Sequence, residues 1–213
     1  MMFKKLLVSL VALSAFVSFS QDWDPSIYKQ GEQYPGYVID NKGNKIEGYI
    51  KYTNRSSIQS IVYLYKEKDN RKTKTRYKAK DLKEYKMADK MYHCIAYSGG
   101  LSKKAIRGNL LVEDGCISYY KWYNGSDIPA RRNPGENYEA YMNRIYPPVT
   151  VYRNTNTNVI KTNDSFILGF AKRMSAFVKD DAELAAKVKG KEKGYRMLSI
   201  MKIMEEYNTN CKK

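Results

Sequence analysis

Residues 36–52, GYVIDNKGNKIEGYIKY, contain the pattern from which the fold is predicted. Aromatic and β-branched residues at positions 37–39 and 46–52 indicate two strands. Between them, Asn41-Lys42-Gly43-Asn44 has the composition of a turn, with a glycine where a positive φ is needed. This stretch therefore predicts a β-hairpin close to the start of the folded chain.

Strand signals continue along most of the chain that follows, and they predict an antiparallel sheet. Asp114-Gly115 is the clearest further turn, because Asp-Gly pairs favour the two-residue hairpin. The predicted strands after the first hairpin cover residues 58–65, 72–80, 82–87, 91–97, 110–112, 117–123, 138–146, 149–152 and 159–160.

The hydrophobic period changes from 2 to 3.6 at Asn163, which indicates helices. Asp164 or Ser165 can cap the first helix, Asp180-Asp181 can begin the second, and Gly190 can end it. We expect the apolar stripes of these helices to cover one side of the sheet, with a membrane-surface face as the alternative. The three stripes consist of Ile167, Phe170, Ala171, Met174, Phe177 and Val178, then Leu184 and Val188, then Met197, Ile200, Met201, Met204 and Tyr207.

Strands followed by helices, rather than alternating with them, predict an α+β fold. We expect an antiparallel sheet, either strongly twisted or a partly open barrel built from hairpins, with about three C-terminal helices packed on it. The expected organisation is a signal peptide at residues 1–20, a flexible arm at 21–34, an antiparallel β domain at 35–162 and a helical segment at 163–213.

The first twenty residues predict a secretory signal peptide. Lys4 and Lys5 precede an apolar run over residues 6–16, and Ser18 and Ser20 are small residues at the positions that a signal peptidase reads. Cleavage would leave 193 of the 213 residues, without an apolar stretch of the roughly 20 residues that a membrane span needs. We therefore expect an exported protein that is periplasmic, outer-membrane-associated or extracellular.

The glycine-punctuated hairpin after the signal peptide resembles the start of small exported proteins of Bacteroidetes-type bacteria, whose function is uncharacterised. The residues that carry the resemblance are Gly36-Tyr37-Val38, Gly43, Ile46, Gly48 and Ile50, with Tyr77, Asp81-Leu82, Tyr85 and Tyr207-Asn208 as weaker landmarks. The resemblance covers the first third of the mature chain and its end. It implies a bacterial envelope or extracellular setting, and it assigns no activity and no functional residue.

The chain carries a formal net charge of +16, which predicts attraction to polyanions. Its sharpest local feature is a row of alternating cations: Lys72, Lys74, Arg76, Lys78 and Lys80. On one strand these cations would lie about 6.6–6.8 Å apart, a pitch that could follow an acidic glycan or a lipopolysaccharide. On sequence alone we favour another interpretation, in which lysines on an exposed edge prevent strands of different molecules from pairing.

Three cysteines in an exported chain leave at least one without a partner in the same molecule. Cys94 and Cys116 both lie in strand-like runs, and a disulfide between them would require their Cα atoms to lie within about 7 Å. His93 is the only histidine, and adjacent strand residues point to opposite faces, so it is poorly placed to activate Cys94. We predict no metal and no cofactor, because His93 and Cys94 lack the second pair of ligands that zinc requires.

The sequence contains neither a nucleophile–base motif nor a metal-binding motif, so we expect a non-enzymatic binding or structural protein of the bacterial envelope. Its expected partner is an anionic polymer or lipopolysaccharide. One alternative is a hydrolase that acts on envelope or extracellular glycans, with acids drawn from Glu113, Asp114, Glu136 and Glu139. Another is a subunit of an envelope protein assembly, which would expose a contiguous apolar patch to its protein partner.

Overall fold

A computed structural model describes residues 27–97, 105–123, 133–145 and 147–211, and it confirms the predicted α+β class. The predicted signal peptide lies outside these residues. Within them, the strands are β1 (Gln33–Asp40), β2 (Lys45–Lys51), β3 (Ile61–Tyr65), β4 (Lys74–Lys78), β5 (Leu82–Met87), β6 (Lys90–Tyr97), β7 (Ala105–Glu113), β8 (Ile117–Trp122), β9 (Val149–Asn154) and β10 (Val159–Thr162). The helices are α1 (Tyr138–Ile145), α2 (Phe170–Phe177), α3 (Ala182–Lys189) and α4 (Ile200–Asn210).

All ten strands belong to one antiparallel sheet, in the order β10-β9-β8-β7-β6-β5-β1-β2-β3-β4. β4 and β5 lie four positions apart in this order, a distance of about 19 Å in a flat sheet. They are nevertheless joined by a single 3-10 turn, Ala79–Asp81, and the chain from Lys78 to Leu82 can span at most about 14 Å. The sheet must therefore curl, so that β4, which pairs with β3, lies close to the start of β5, which pairs with β1.

The glycines of the first hairpin permit this curl. Gly36 in β1 lies opposite Gly48 in β2. A Cβ atom at Gly36 would collide with the backbone oxygen of Lys86, and one at Gly48 would collide with that of Tyr65. Any larger residue at either position would push apart strands that the curl brings close together.

The curled part of the sheet, from β1 to β7, encloses a core rich in tyrosine. The rings of Tyr85 and Tyr92 stack with their centroids 4.6 Å apart, and the Tyr85 hydroxyl donates a hydrogen bond to the Ile58 carbonyl at 2.8 Å. The buried residues of this core are Tyr28, Val38, Ile50, Tyr52, Ile58, Val62, Leu64, Leu82, Tyr85, Met87, Tyr92, Leu110 and Tyr123.

A layer of helices covers the other end of the sheet, as the apolar stripes predict. α3 is capped at its start by Asp181, whose side chain accepts a hydrogen bond from the Leu184 amide at 3.0 Å, and at its end by Gly190. The core between strands and helices consists of Cys116, Ile117, Tyr152, Phe166, Met174, Phe177, Val178, Leu184, Val188, Ile200, Ile203, Met204 and Tyr207. Among the described residues, no helix combines the length and the apolar character that crossing a membrane requires.

A disulfide fastens the last helix to the sheet, and it corrects the predicted pairing. Cys116 is bonded to Cys211, with their Cα atoms 6.4 Å apart, so the disulfide that the sequence left possible between Cys94 and Cys116 does not form. Cys94 lies opposite Gly108 in the β6–β7 pair and keeps a free thiol. Cys116 instead lies just before β8, beside the end of α4.

Two amide side chains hold the two ends of β8. At its start, Asn208 of α4 accepts a hydrogen bond from the Ile117 amide at 2.7 Å and donates one to the Ile117 carbonyl at 2.9 Å. Just past its end, Gln59 accepts from the Tyr123 amide at 2.9 Å and donates to the Tyr123 carbonyl at 2.8 Å. Each amide therefore replaces the backbone of a neighbouring strand.

Several local predictions are wrong. The strand predicted at residues 138–146 is the helix α1, whose first turn is capped by Asn137 accepting from the Ala140 amide at 2.8 Å. Asp114-Gly115 does not form a two-residue turn, because residues 114–116 make a longer connection and the β7–β8 register shifts before Glu113.

The predicted flexible arm is also wrong in its second half. Tyr28 is buried against Tyr34 and Tyr52, and β1 already begins at Gln33. Residues 21–26 lie outside the described part of the chain. Three members of the predicted inward stripes, Ile167, Met197 and Met201, are exposed, since α2 and α4 begin only at Phe170 and Ile200 and orient their buried sides differently.

Candidate anion-binding groove

The predicted row of cations lies at an open edge of the sheet. β4 is the last strand in the order, and Lys74, Arg76 and Lys78 are exposed on it. Lys72 and Lys80 are exposed as well, but they belong to the 3-10 turns that flank the strand. The prediction of one continuous strand over residues 72–80 is therefore too long, and the alternation holds only between residues 74 and 78.

The structure brings three of these five cations to one groove. Arg76, Lys78 and Lys80 line a depression of about 540 Å³ between β4, the turn after it and the start of β7. Its remaining lining residues are Ser60, Ile61, Ala79, Ala105, Ile106 and Arg107. Lys72 and Lys74 do not line it, and the Lys74 Nζ atom lies 4.2 Å from the centroid of the Tyr63 ring.

The groove exists because β7 has an incompletely paired edge. Residues 105–110 of β7 pair with β6, whereas β8 pairs with β7 only from Leu110 onward. Within the described residues, the first half of β7 therefore has β6 on one side. On its other side lies the open edge of the sheet, formed by β4 and the turn that follows it. The groove fills the gap between these two edges.

Three hydrogen bonds fix the turn that carries Lys80. The Asn41 side chain donates to the Lys80 carbonyl at 2.8 Å, and the Asp81 carboxylate accepts from the Lys78 amide at 3.2 Å. The Ala79 amide donates to the Ser60 carbonyl at 3.0 Å, and Ala79 itself is buried. The backbone beneath the cations is thus held in place, while their side chains stay in solvent.

Arg107 is the groove residue that the sequence analysis missed. It lies on β7 with its guanidinium carbon 5.0 Å from the centroid of the Trp122 ring, an arrangement that positions the cation by stacking. Its only local signal is a single arginine in a strand. The approach of β7 to β4 depends on the curl of the whole sheet, which no short sequence pattern reveals.

The electrostatics of the groove favour an anion. Of the nine described residues that line it, four are cationic and none is acidic. None of the salt bridges between described residues involves any of these four cations. Four uncompensated positive charges around one depression raise the local concentration of anions.

Other basic residues do not extend this groove among the described residues. Lys121 lies on β8 and does not line it. Two further basic pairs of the sequence, Lys103-Lys104 and Arg131-Arg132, lie outside the described part of the chain.

The free cysteine is not placed for nucleophilic chemistry. Burial, with a smaller contribution from Glu84, raises the pKa of the Cys94 thiol to about 12, so the thiol is protonated at neutral pH. The His93 Nδ1 atom lies 3.1 Å from the Tyr120 hydroxyl, and burial lowers the pKa of its imidazole.

Two of the four carboxylates considered for a hydrolase have other partners. Glu136 forms a salt bridge with Arg144 at 2.8 Å, and Asp114 accepts hydrogen bonds from the Gly115 amide and the Ser118 hydroxyl. Neither these two nor Glu113 lines the groove. The side chain of Glu139 lies outside the described part of the structure.

Among the described residues, no group of three or more histidine, cysteine, aspartate or glutamate side chains could hold a metal ion. Comparison of the chain with protein-family models, with curated proteins and with solved structures finds no match. The geometry and charge of the groove are therefore what the functional argument rests on.

Proposed function

We propose that this protein is an exported, non-enzymatic binding protein of the bacterial envelope that holds an anionic polymer in the groove between β4 and β7. Lipopolysaccharide or an acidic glycan has the required chemistry, because both carry repeated phosphate or carboxylate groups. The observation that carries the proposal is the set of four cations around one groove, with no carboxylate among the described residues that line it.

The arrangement of the cations around the groove favours polymer binding over a role in edge protection alone. Cations at the edge of β4 would suffice to prevent pairing with another molecule. Edge protection does not account for Arg107, which comes from a different strand and faces the same depression. A polymer that follows the groove would contact cations from both of its sides.

The test is a salt titration of binding to a heparin oligosaccharide, a soluble polyanion without acyl chains. We expect affinity to fall steeply as salt rises, and the double variant Arg76→Glu/Lys78→Glu to bind about tenfold more weakly or worse at low salt. The salt slope should also become shallower by about two, one for each lost contact. Neutral dextran should not bind.

The matched control is Lys179→Glu/Lys193→Glu, which makes the same change in net charge at exposed positions outside the groove. Equal losses in both double variants would mean that only the net charge matters, and would contradict the proposal. Sedimentation tests the alternative role of the cations, which is protection of the sheet edge. If the variant Arg76→Gln/Lys78→Gln self-associates and its affinity for heparin is unchanged, the cations protect the edge and do not bind a polymer.

A further inference from the structure

A second and larger groove lies in the helical layer, between α2, α3 and the turn that follows α3. Small side chains on the facing sides of the two helices leave it open. The small residues that line it are Gly169, Ala171, Ser175, Ala176, Ala182, Ala185 and Ala186. Its volume of about 1080 Å³ lies at the upper limit of small-molecule sites, which typically measure about 300–1,000 Å³.

Two large apolar side chains line this groove: Phe170, which is partly buried, and Met197, which is exposed. Leu168, two residues before Phe170, and Leu198, next to Met197, do not line it but are among the most exposed apolar residues of the described chain. Leu168 keeps 73% of its surface accessible, and Leu198 is fully exposed. Apolar side chains that line an open groove and stay accessible are typical of a binding site.

The rim of the groove is cationic. Lys172, Lys189, Lys191 and Arg196 line it, and in the described part of the chain no carboxylate does. None of the salt bridges between described residues involves these four side chains. The groove therefore combines an apolar floor with an excess of positive charge, which complements a molecule with an apolar chain and an anionic head.

Tyr195, which lines the groove, is held in position by side chains of α4. The Tyr195 hydroxyl donates to the Glu206 carboxylate at 2.8 Å, and the Lys202 Nζ atom lies 4.4 Å from the centroid of its ring. The Lys187 Nζ atom contacts the same carboxylate at 3.1 Å. Because these contacts hold the ring in place, the groove does not need a ligand to form.

We infer that this groove binds one single-chain lipid with a phosphate monoester head. The acyl chain would lie along the alanine-lined floor, and the head would contact the cations of the rim. Four cations match a phosphate monoester, with a charge of about −1.5 to −2 near pH 7, better than a single carboxylate. The groove shares no lining residue with the groove between β4 and β7, so this inference is independent of the proposed function.

The test is calorimetric titration of the whole protein with dodecyl phosphate below its micelle concentration. We expect one molecule to bind per chain. Dodecyl maltoside, which has the same chain and a neutral head, should bind roughly tenfold more weakly, because it lacks charge-assisted hydrogen bonds. Glycerol phosphate, which has the head without the chain, should show no measurable binding.

Variants locate the site. Ala186→Trp fills the groove from an exposed position and should weaken binding of dodecyl phosphate about tenfold or more, whereas Thr209→Trp, at an exposed position of α4 outside the groove, should not. Lys172→Glu/Lys189→Glu should weaken the binding of dodecyl phosphate and leave the binding of dodecyl maltoside unchanged. Arg76→Glu/Lys78→Glu should leave the binding of dodecyl phosphate unchanged, although it weakens the binding of heparin. Thermal unfolding of each variant verifies that it folds.

Any one of five results would overturn the inference. Unchanged binding in folded Ala186→Trp would place the lipid elsewhere, and loss of binding in Arg76→Glu/Lys78→Glu would place it in the other groove. Equal binding of the maltoside, or several molecules per chain, would indicate simple adsorption to apolar surface. Binding of an acidic amphipathic peptide, with none of dodecyl phosphate, would assign the groove to a protein partner.

Discussion

The two halves of the sheet bury their apolar residues in different ways. The curled half, β1 to β7, folds around its own core, and most of its buried side chains come from strands of the curl itself. The layered half, β8 to β10, depends on α2, α3 and α4 to cover its inner face. The curled half packs its strands around one core, whereas the helical layer is a separate element that is fastened to the sheet by a disulfide.

The fastening is visible in the contacts. Cys211 is bonded to Cys116 across 95 residues of sequence, and Asn208 holds both backbone groups of Ile117. In the curled half, Gln59 does the same for Tyr123, but it is fully buried and has no disulfide beside it. The halves should therefore respond differently to loss of the disulfide and to loss of an amide.

The largest effect is expected from the disulfide. Cys211→Ser should lower the free energy of unfolding by about 2–4 kcal/mol under oxidising conditions, because the unfolded chain regains the freedom of a long loop. Urea unfolding measures the loss, and Cys94→Ala is the control from the curled half. Hydrogen exchange should become faster in α2 to α4 and stay unchanged in β1 to β3. An equal loss in both variants would contradict the proposed role of the cross-link.

The next effect compares the two amides. Gln59→Ala should destabilise by about 2–3 kcal/mol, because it leaves two backbone groups of Tyr123 without partners in a buried site. Asn208→Ala should cost less, about 1–2 kcal/mol, since water reaches its partly buried site.

The control is Asn210→Ala, on the same helix, where the amide only reaches an exposed Asp181 oxygen at 2.9 Å. Urea unfolding compares the three variants. If Asn210→Ala lowers the free energy of unfolding as much as Asn208→Ala does, the two hydrogen bonds between Asn208 and Ile117 do not anchor α4.

The smallest effect is an acid sensitivity of the layered half. Burial acts to raise the pKa of Asp180, but hydrogen bonds from Tyr207, Asn156 and Asn154 outweigh it and lower the pKa below 3.8. A lowered carboxyl pKa stabilises the fold above the unfolded value, and this contribution is lost as the pH falls through the folded value.

Stability measured against pH should therefore decline below about pH 4 in part through Asp180. Asp180→Asn should show a weaker decline in that window, and Tyr207→Phe, which removes one of the hydrogen bonds, should show an intermediate one. A decline in Asp180→Asn as steep as in the unmodified protein would mean that other carboxyls account for it.

Local patterns of the sequence predict local structure well. The first hairpin, the caps of α3 and the helical layer follow from turn residues, capping residues and hydrophobic period. α1 was missed because its eight residues are too short for the period to separate a helix from a strand. The exposed position of Met201 could not be predicted, since it depends on which side of α4 meets the sheet.

The candidate groove could be predicted only in part. Arg76, Lys78 and Lys80 stand out from their alternation, whereas Arg107 joins them only because the sheet curls. The pairing of Cys116 with Cys211 likewise depends on how α4 docks beside β8. Both features bring together residues that are far apart in the sequence, and a single sequence gives no signal for such contacts.

The most direct test of the central claim is hydrogen exchange of the protein with and without a heparin oligosaccharide at low salt. We predict slower exchange at the amides of residues 76–80 and 105–107, on the two sides of the groove, and no change in α2 and α3. Protection confined to the helical layer, or spread evenly over the basic surface, would contradict the assignment of polyanion binding to the groove between β4 and β7.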